Sequence, residues 1–216
     1  MQSNNGIICA VFDLDGTLIQ SHSNIYEATV QTFKDLKINY TLPEKEFYNY
    51  LGHHFEDIFK VFGIAVPDFE IFITQYKKNY FTFINYSSMF PGVVDVLKYL
   101  KEKNIRIALL TTKAQDQAEK ILQYFEIDNY FDEIMGRRPG IAHKPSPEPL
   151  KLICDNLKVD PSNTLMVGDT ELDINCGRSA GAKTCAVTYG YRELEILKNE
   201  NPDFLIDDLK ELTQLI

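Results

Sequence analysis

The chain has 216 residues, 44% of them hydrophobic and 25% charged, and a formal net charge of −9. That length carries one large domain, or one domain with an insertion, and the composition excludes collagenous, low-complexity and disordered chains. Basic clusters no larger than Lys77-Lys78 and Arg137-Arg138 read as solvated surface and argue against nucleic-acid binding, so an anionic partner would have to be met by local positive potential.

The first six residues have neither a basic start nor a long apolar stretch, so no secretory signal is expected. The apolar run at 7–12 is too short to cross a bilayer, and a cytoplasmic protein without membrane contact is the expectation. That run, and those at 105–110, 164–167 and 184–187, are nearly all apolar rather than alternating, as strands covered on both faces must be. A further short strand and helix are expected from residue 203 onward.

Between the runs lie stripes of helical period. They are Val93, Val94, Leu97, Leu100 and Lys101 after Pro91-Gly92, then Ala118, Ile121, Leu122 and Phe125, then Pro149, Leu150, Ile153, Cys154 and Leu157. Strand, helix and strand in repetition predict right-handed crossovers and a doubly wound parallel α/β sheet. Residues 21–87 break the rhythm. They hold no convincing buried strand and read as helices at about 24–36, 43–62 and 68–84, dense in aromatic residues. This block is expected to be an inserted α-helical cap domain, with the catalytic core formed by 1–20 and 88–216. Cys9, Cys154, Cys176 and Cys185 are scattered without a Cys-x-x-Cys pair and read as small buried hydrophobes in a reducing compartment, not as zinc ligands.

The polar residues that interrupt the chain most sharply follow the apolar runs directly. Asp13, Asp15, Gly16 and Thr17 follow the first, Thr111, Thr112 and Lys113 the second, Gly168, Asp169 and Asp173 the third. In an open α/β sheet these positions share the edge outside the carboxyl ends of the strands, where ligands bind. Several acids gathered there without a matching basic cluster need a cation, and oxygen donors suit a hard divalent ion such as magnesium. Gly16 lets the backbone turn its N–H groups towards an anion. Lys144 opens a proline-rich turn before a helix, and the prolines fix the backbone that presents it.

Asp13-Leu14-Asp15-Gly16-Thr17-Leu18 resembles the first motif of the haloacid dehalogenase (HAD) superfamily, Thr111 its second, Lys144 its third and Gly168-Asp169-Thr170-Glu171-Leu172-Asp173 its fourth. The helical insertion after the first motif, Phe90-Pro91-Gly92 and Lys144-Pro145-Ser146-Pro147 resemble the phosphoglycolate phosphatase-like branch. The resemblance implies a Rossmann-like core with a helical cap and a Mg2+-dependent phosphatase acting on a small phosphorylated metabolite through an aspartyl-phosphate. It implies Asp13 as nucleophile and Asp15 as acid and base, with Asp13, Asp15 (through its carbonyl) and Asp169 holding the metal. Asp173 would stand behind them or ligate in their place. Gly16, Thr17, Thr111, Thr112 and Lys144 would hold phosphate. Thr112 departs from the asparagine common in relatives, and Gly136-Arg137-Arg138-Pro139-Gly140 lies where relatives carry acids. In the cap, the turn Gly52-His53-His54-Phe55 offers His53 or His54 to a substrate. A β-phosphoglucomutase-like phosphotransferase and an inorganic pyrophosphatase share this layout. A dehalogenase is disfavoured by the second acid, and the related ATPases by the lack of membrane spans. A non-catalytic binding protein on the same fold is the alternative of another class. Substrate identity and oligomeric state are not legible.

Overall fold

The structure, a computed structural model, describes residues 6–216. Segment 1–5, on which the leaderless reading of the chain's start rests, lies outside the described residues. The chain runs through β1 (Cys9–Phe12), β2 (Ile19–Gln20), α1 (His22–Asp35), α2 (Glu44–Tyr48), α3 (Phe55–Phe62), α4 (Phe69–Thr82) and β3 (Ser88–Met89). It continues through α5 (Val93–Glu102), β4 (Arg106–Ala114), α6 (Gln115–Tyr124), β5 (Glu133–Arg137), α7 (Glu148–Leu157) and β6 (Thr164–Gly168). It closes with α8 (Glu171–Ala180), β7 (Lys183–Val187), α9 (Leu194–Asn199), β8 (Phe204–Ile206) and α10 (Leu212–Leu215). By compactness it divides into Met1–Leu18 with Met89–Ile216, and Ile19–Ser88.

The first unit carries a six-stranded sheet in the order β5-β4-β1-β6-β7-β8. All five neighbouring pairs are parallel. Both faces of β1 and β6 are covered, and every residue of these two strands is buried. This is why they read as continuous apolar runs. The chain leaves β1 for β4 and β5 on one side, then crosses to β6, β7 and β8 on the other. Strand order therefore reverses about β1, and the crevice of such a sheet opens at the carboxyl ends there. The helices bury the faces their periodicity predicts. In α5 these residues are Val93, Val96, Leu97 and Leu100, with Val94 and Lys101 only half-buried. In α7 they are Pro149, Leu150, Ile153 and Cys154, of which the last three pack with Cys9, Val11, Met135 and Met166. The four cysteines are all free and buried, and burial pushes the Cys9 and Cys176 thiols up to about 12, which leaves them inert.

The second unit is helical. Its core is aromatic: Phe59 meets Phe72 at 4.9 Å between ring centres and Phe55 meets Tyr76 at 4.6 Å, both edge-on. On α4, Asn79 donates to Thr32 Oγ1 (3.0 Å) and Asp35 Oδ2 (2.9 Å) of α1, fixing the pairing of the two longest helices of this unit.

Three expectations need correction. The single helix expected at 43–62 is two, because Gly52 adopts a left-handed conformation (φ 95°) and His54 starts α3 with an extended backbone. Strand β5 has no counterpart in the sequence reading, since Glu-Ile-Met-Gly-Arg has no apolar run. As an edge strand it pairs only with β4. Arg138 is likewise no solvated side chain: it donates to Ile134 O (2.9 Å) and Gln115 Oε1 (3.0 Å).

Candidate active site

Asp13 continues β1 by one hydrogen bond, its N–H donating to Val167 O of β6 at 2.9 Å. That places its side chain at the strand-order reversal beside Asp169, which follows β6. Asp13 is 5% exposed, Asp169 0% and Asp173 1%. Carboxylate oxygens of all three lie within 4.8 Å of one another. Lys144 Nζ enters this group, donating to Asp13 Oδ1 at 2.7 Å and Asp173 Oδ1 at 2.5 Å. The other oxygen of Asp173 accepts from the Thr170 N–H (3.0 Å) and hydroxyl (2.6 Å), so Asp173 both caps α8 and orients Lys144. Thr17 donates its hydroxyl to Asp169 Oδ1 at 3.1 Å. Gly16 (φ 88°) lies so close that a Cβ there would collide with the Asp169 carboxylate, which accounts for glycine at this turn.

Asp15 stands apart from the carboxylate cluster. Its side chain accepts from Lys113 Nζ at 2.8 Å, and neither group is more than 12% exposed. Thr111, Thr112 and Lys113 do not follow the second strand but end it, because β4 runs on to Ala114 with a break in its pairing to β5 between Leu110 and Ala114. Phe12 is in register with Leu109, so these residues pass the same sheet edge as Asp13. Thr111 is buried and its hydroxyl accepts from the Lys113 N–H at 3.2 Å, whereas Thr112 is half-buried. His53 and His54 lie in the turn between α2 and α3 of the helical unit, both half-buried, and His53 packs edge-on to Tyr50.

Burial raises the Asp13 carboxyl, Lys144 pulls it back and the Asp173 charge pushes it up again, to about 7. Burial raises Asp169 too, with the Asp13 and Asp173 charges adding, against the Tyr191 amide and the Arg192 charge. Burial acts to lower Lys144, but the two carboxylates it bridges outweigh this and hold it charged. Three buried acids against one bridging lysine are thus short of positive charge, and their all-oxygen donor set suits a hard divalent cation.

A stability consequence follows for the protein without a cation. Folded Asp13 keeps its proton up to about 7, while the unfolded chain releases it near 3.8. The folded state binds more protons between those values, so stability due to Asp13 falls as pH rises through that window and then levels off. Calorimetry of chelator-treated wild type and Asp13→Asn should show the melting temperatures diverging in favour of the variant from about pH 4 to about pH 7. A difference independent of pH would refute the assignment.

Two groups escaped the sequence reading. Lys113 was noted only as polar, without its pairing to Asp15. Loop 188–192 was not singled out, although it follows β7 directly and the strand-end rule that found Asp13 and Asp169 would have found it. From this loop the Tyr191 N–H donates to Asp169 Oδ2 (2.8 Å), the Tyr189 hydroxyl donates to Thr17 O (3.0 Å), and Arg192 pairs with Glu171.

A sheet that reverses order about β1, with buried acids at the ends of β1 and β6 and a lysine between them, defines a class of hydrolase, and the comparisons agree. The family model for haloacid dehalogenase-like hydrolases matches residues 10–187. A Clostridium perfringens protein provisionally named pyrophosphatase PpaX is 37% identical over 211 residues, 97% of each chain. The phosphoglycolate phosphatase of Aquifex aeolicus is 31% identical over 208 residues, 95% of each chain. Among solved structures, a haloacid dehalogenase-like family hydrolase of Streptococcus pneumoniae aligns with a TM-score of 0.83 at 27% identity, over 96% of this chain and 97% of its own. The chain belongs to the haloacid dehalogenase-like hydrolase family. It is an enzyme of that family's phosphatase group, similar to the phosphoglycolate phosphatase-like branch. Among the described residues no helix is long and apolar enough to cross a membrane.

Proposed function

We propose that this enzyme is a magnesium-dependent phosphatase that hydrolyses a small phosphorylated metabolite through a phosphoenzyme on Asp13. The observation that carries the reading is the Lys144 amine seated between Asp13 and Asp173, 2.7 Å and 2.5 Å away, with Asp169 in the same buried cluster. Asp13 and Asp169, with the Asp15 carbonyl, are the proposed metal ligands, and Asp173 is near enough to the other two carboxylates to serve in their place. A bound magnesium ion supplies positive charge to the transferring phosphoryl oxygens.

The chain's own groups do the rest. An Asp13 carboxylate oxygen attacks phosphorus while the ester oxygen departs with a proton from Asp15, leaving an acyl phosphate on Asp13. Asp15, now a carboxylate, takes a proton from water as that water attacks phosphorus, and phosphate leaves with Asp13 restored. Lys113, paired to Asp15, fixes the direction of that carboxyl. Lys144 holds Asp13 in line and neutralises charge beside it, and with Thr111, Thr112 and the amides of Gly16 and Thr17 it holds phosphoryl oxygens by hydrogen bonds. The helical unit Ile19–Ser88 is proposed as the cap that excludes water, with His53 and His54 as candidate substrate groups.

Two substrate classes compete. The name of the Aquifex aeolicus relative favours phosphoglycolate, and that of the Clostridium perfringens relative favours pyrophosphate. Steady-state kinetics with phosphoglycolate, pyrophosphate, sugar phosphates and nucleotides, with and without magnesium, separates them. We expect metal-dependent phosphate release, with one small substrate preferred by about tenfold or more in kcat/KM. Transfer of phosphate to a sugar rather than to water would turn the reading to a phosphomutase. No turnover on any phosphate ester, p-nitrophenyl phosphate included, would leave a binding protein.

A further inference from the structure

Asp169 has no freedom of its own. One carboxylate oxygen accepts from the Thr17 hydroxyl and the other from the Tyr191 N–H. Gly190 packs against Asp169 so closely that a Cβ would collide with it. Arg192, two residues beyond Gly190, is 6% exposed and pairs by two bonds with Glu171, Nε to Oε2 at 2.6 Å and Nη2 to Oε1 at 3.2 Å. Glu171 opens α8, two residues after Asp169. Asp169-Thr170-Glu171 and Tyr191-Arg192 are therefore tied at both ends, once through the aspartate and once through the ion pair. Tyr189 of the same loop donates to Thr17 O, so the loop also holds the hydroxyl-bearing residue that fixes the first oxygen.

The placement of Arg192 is hard to explain by stability. Even a fully buried ion pair is often no better than packed apolar side chains, and here Glu171 stays 22% exposed. The third guanidinium nitrogen, Nη1, is buried without a hydrogen-bond partner, and a buried donor left over is a cost. We infer that loop 188–192 is a positioning layer for the metal ligand Asp169, with the Arg192–Glu171 pair as its anchor. This rests on the proposed reading of Asp169 as a magnesium ligand. Partners that orient a ligating carboxylate govern the affinity of the ion more than the fold. Released from Glu171, the loop no longer presents the Tyr191 N–H at a fixed place, and Asp169 can turn away from Asp13.

The test uses the full chain freed of metal, with magnesium chloride titrated into it by calorimetry. Arg192→Met and Glu171→Gln should each raise the magnesium Kd by about tenfold or more. The melting temperature of the metal-free protein should stay near that of wild type, and kcat at saturating magnesium should change little. The double variant should be no worse than Arg192→Met alone, because the two residues act as one unit. Should Arg192→Met fail to fold, Arg192→Lys and Glu171→Gln carry the same expectation, the lysine keeping charge but losing the two-bond geometry. A magnesium Kd within about twofold of wild type in the folded variants, against the tenfold or larger rise expected, overturns the inference, whatever happens to the melting temperature. Wild type that binds no magnesium overturns the metal reading itself, which distinguishes the two failures.

Discussion

Asp13→Asn is expected to abolish turnover while leaving the fold intact, a loss on the order of 10⁴-fold or about 5.4 kcal/mol of barrier. The amide is close in shape but is a poor nucleophile, so the covalent step has no attacking atom. The fold should tolerate the change because Asp13 is one of three buried acids crowded around one lysine. Removing its charge relieves repulsion from Asp169 and Asp173, and Lys144 keeps its bond to Asp173. Metal-free Asp13→Asn at neutral pH should therefore be at least as stable as wild type, the usual trade between a strained site and stability. The measurement is steady-state turnover beside circular dichroism and a melting curve. Activity within about tenfold of wild type, roughly 1.4 kcal/mol, would remove Asp13 as the nucleophile.

The second large effect is that of stripping the metal. Exhaustive chelation should reduce turnover by about 100-fold or more, and magnesium should restore it. Without a cation, burial and the neighbouring carboxylates hold Asp13 near 7, so at neutral pH a substantial part of it is protonated and cannot attack. The same neutralisation should appear as stability. An ion at about 100 times its Kd adds about 2.7 kcal/mol to the folded state, which for a chain of this size raises the melting temperature on the order of 5 °C or more. Full activity after chelation, with no thermal shift on adding magnesium, would take the ion out of both arguments.

The doubly wound sheet and the gathering of acids at its edge were legible in the residues alone. Strands covered on both faces must be continuously apolar, so 7–12, 105–110, 164–167 and 184–187 announce themselves, and the strand-end rule brings Asp13 and Asp169 together although 156 positions separate them. Lys144 was legible through the prolines around it. Elements whose stability is not local were illegible. Strand β5 owes its existence to pairing with β4, and the break before α3 to one left-handed glycine.

The sequence by itself determined the fold class and the sheet edge at which Asp13 and Asp169 gather, because burial on two faces and charge without partners leave marks in residue type. Only the tertiary structure decided which acid faces which base. It turned Asp15 to Lys113 and placed Asp173 beside Asp13 and Asp169 in the buried cluster. It also brought loop 188–192 onto Asp169. Such pairings depend on the direction in which a side chain leaves the backbone and on which loops meet at an edge, and neither is written in local periodicity.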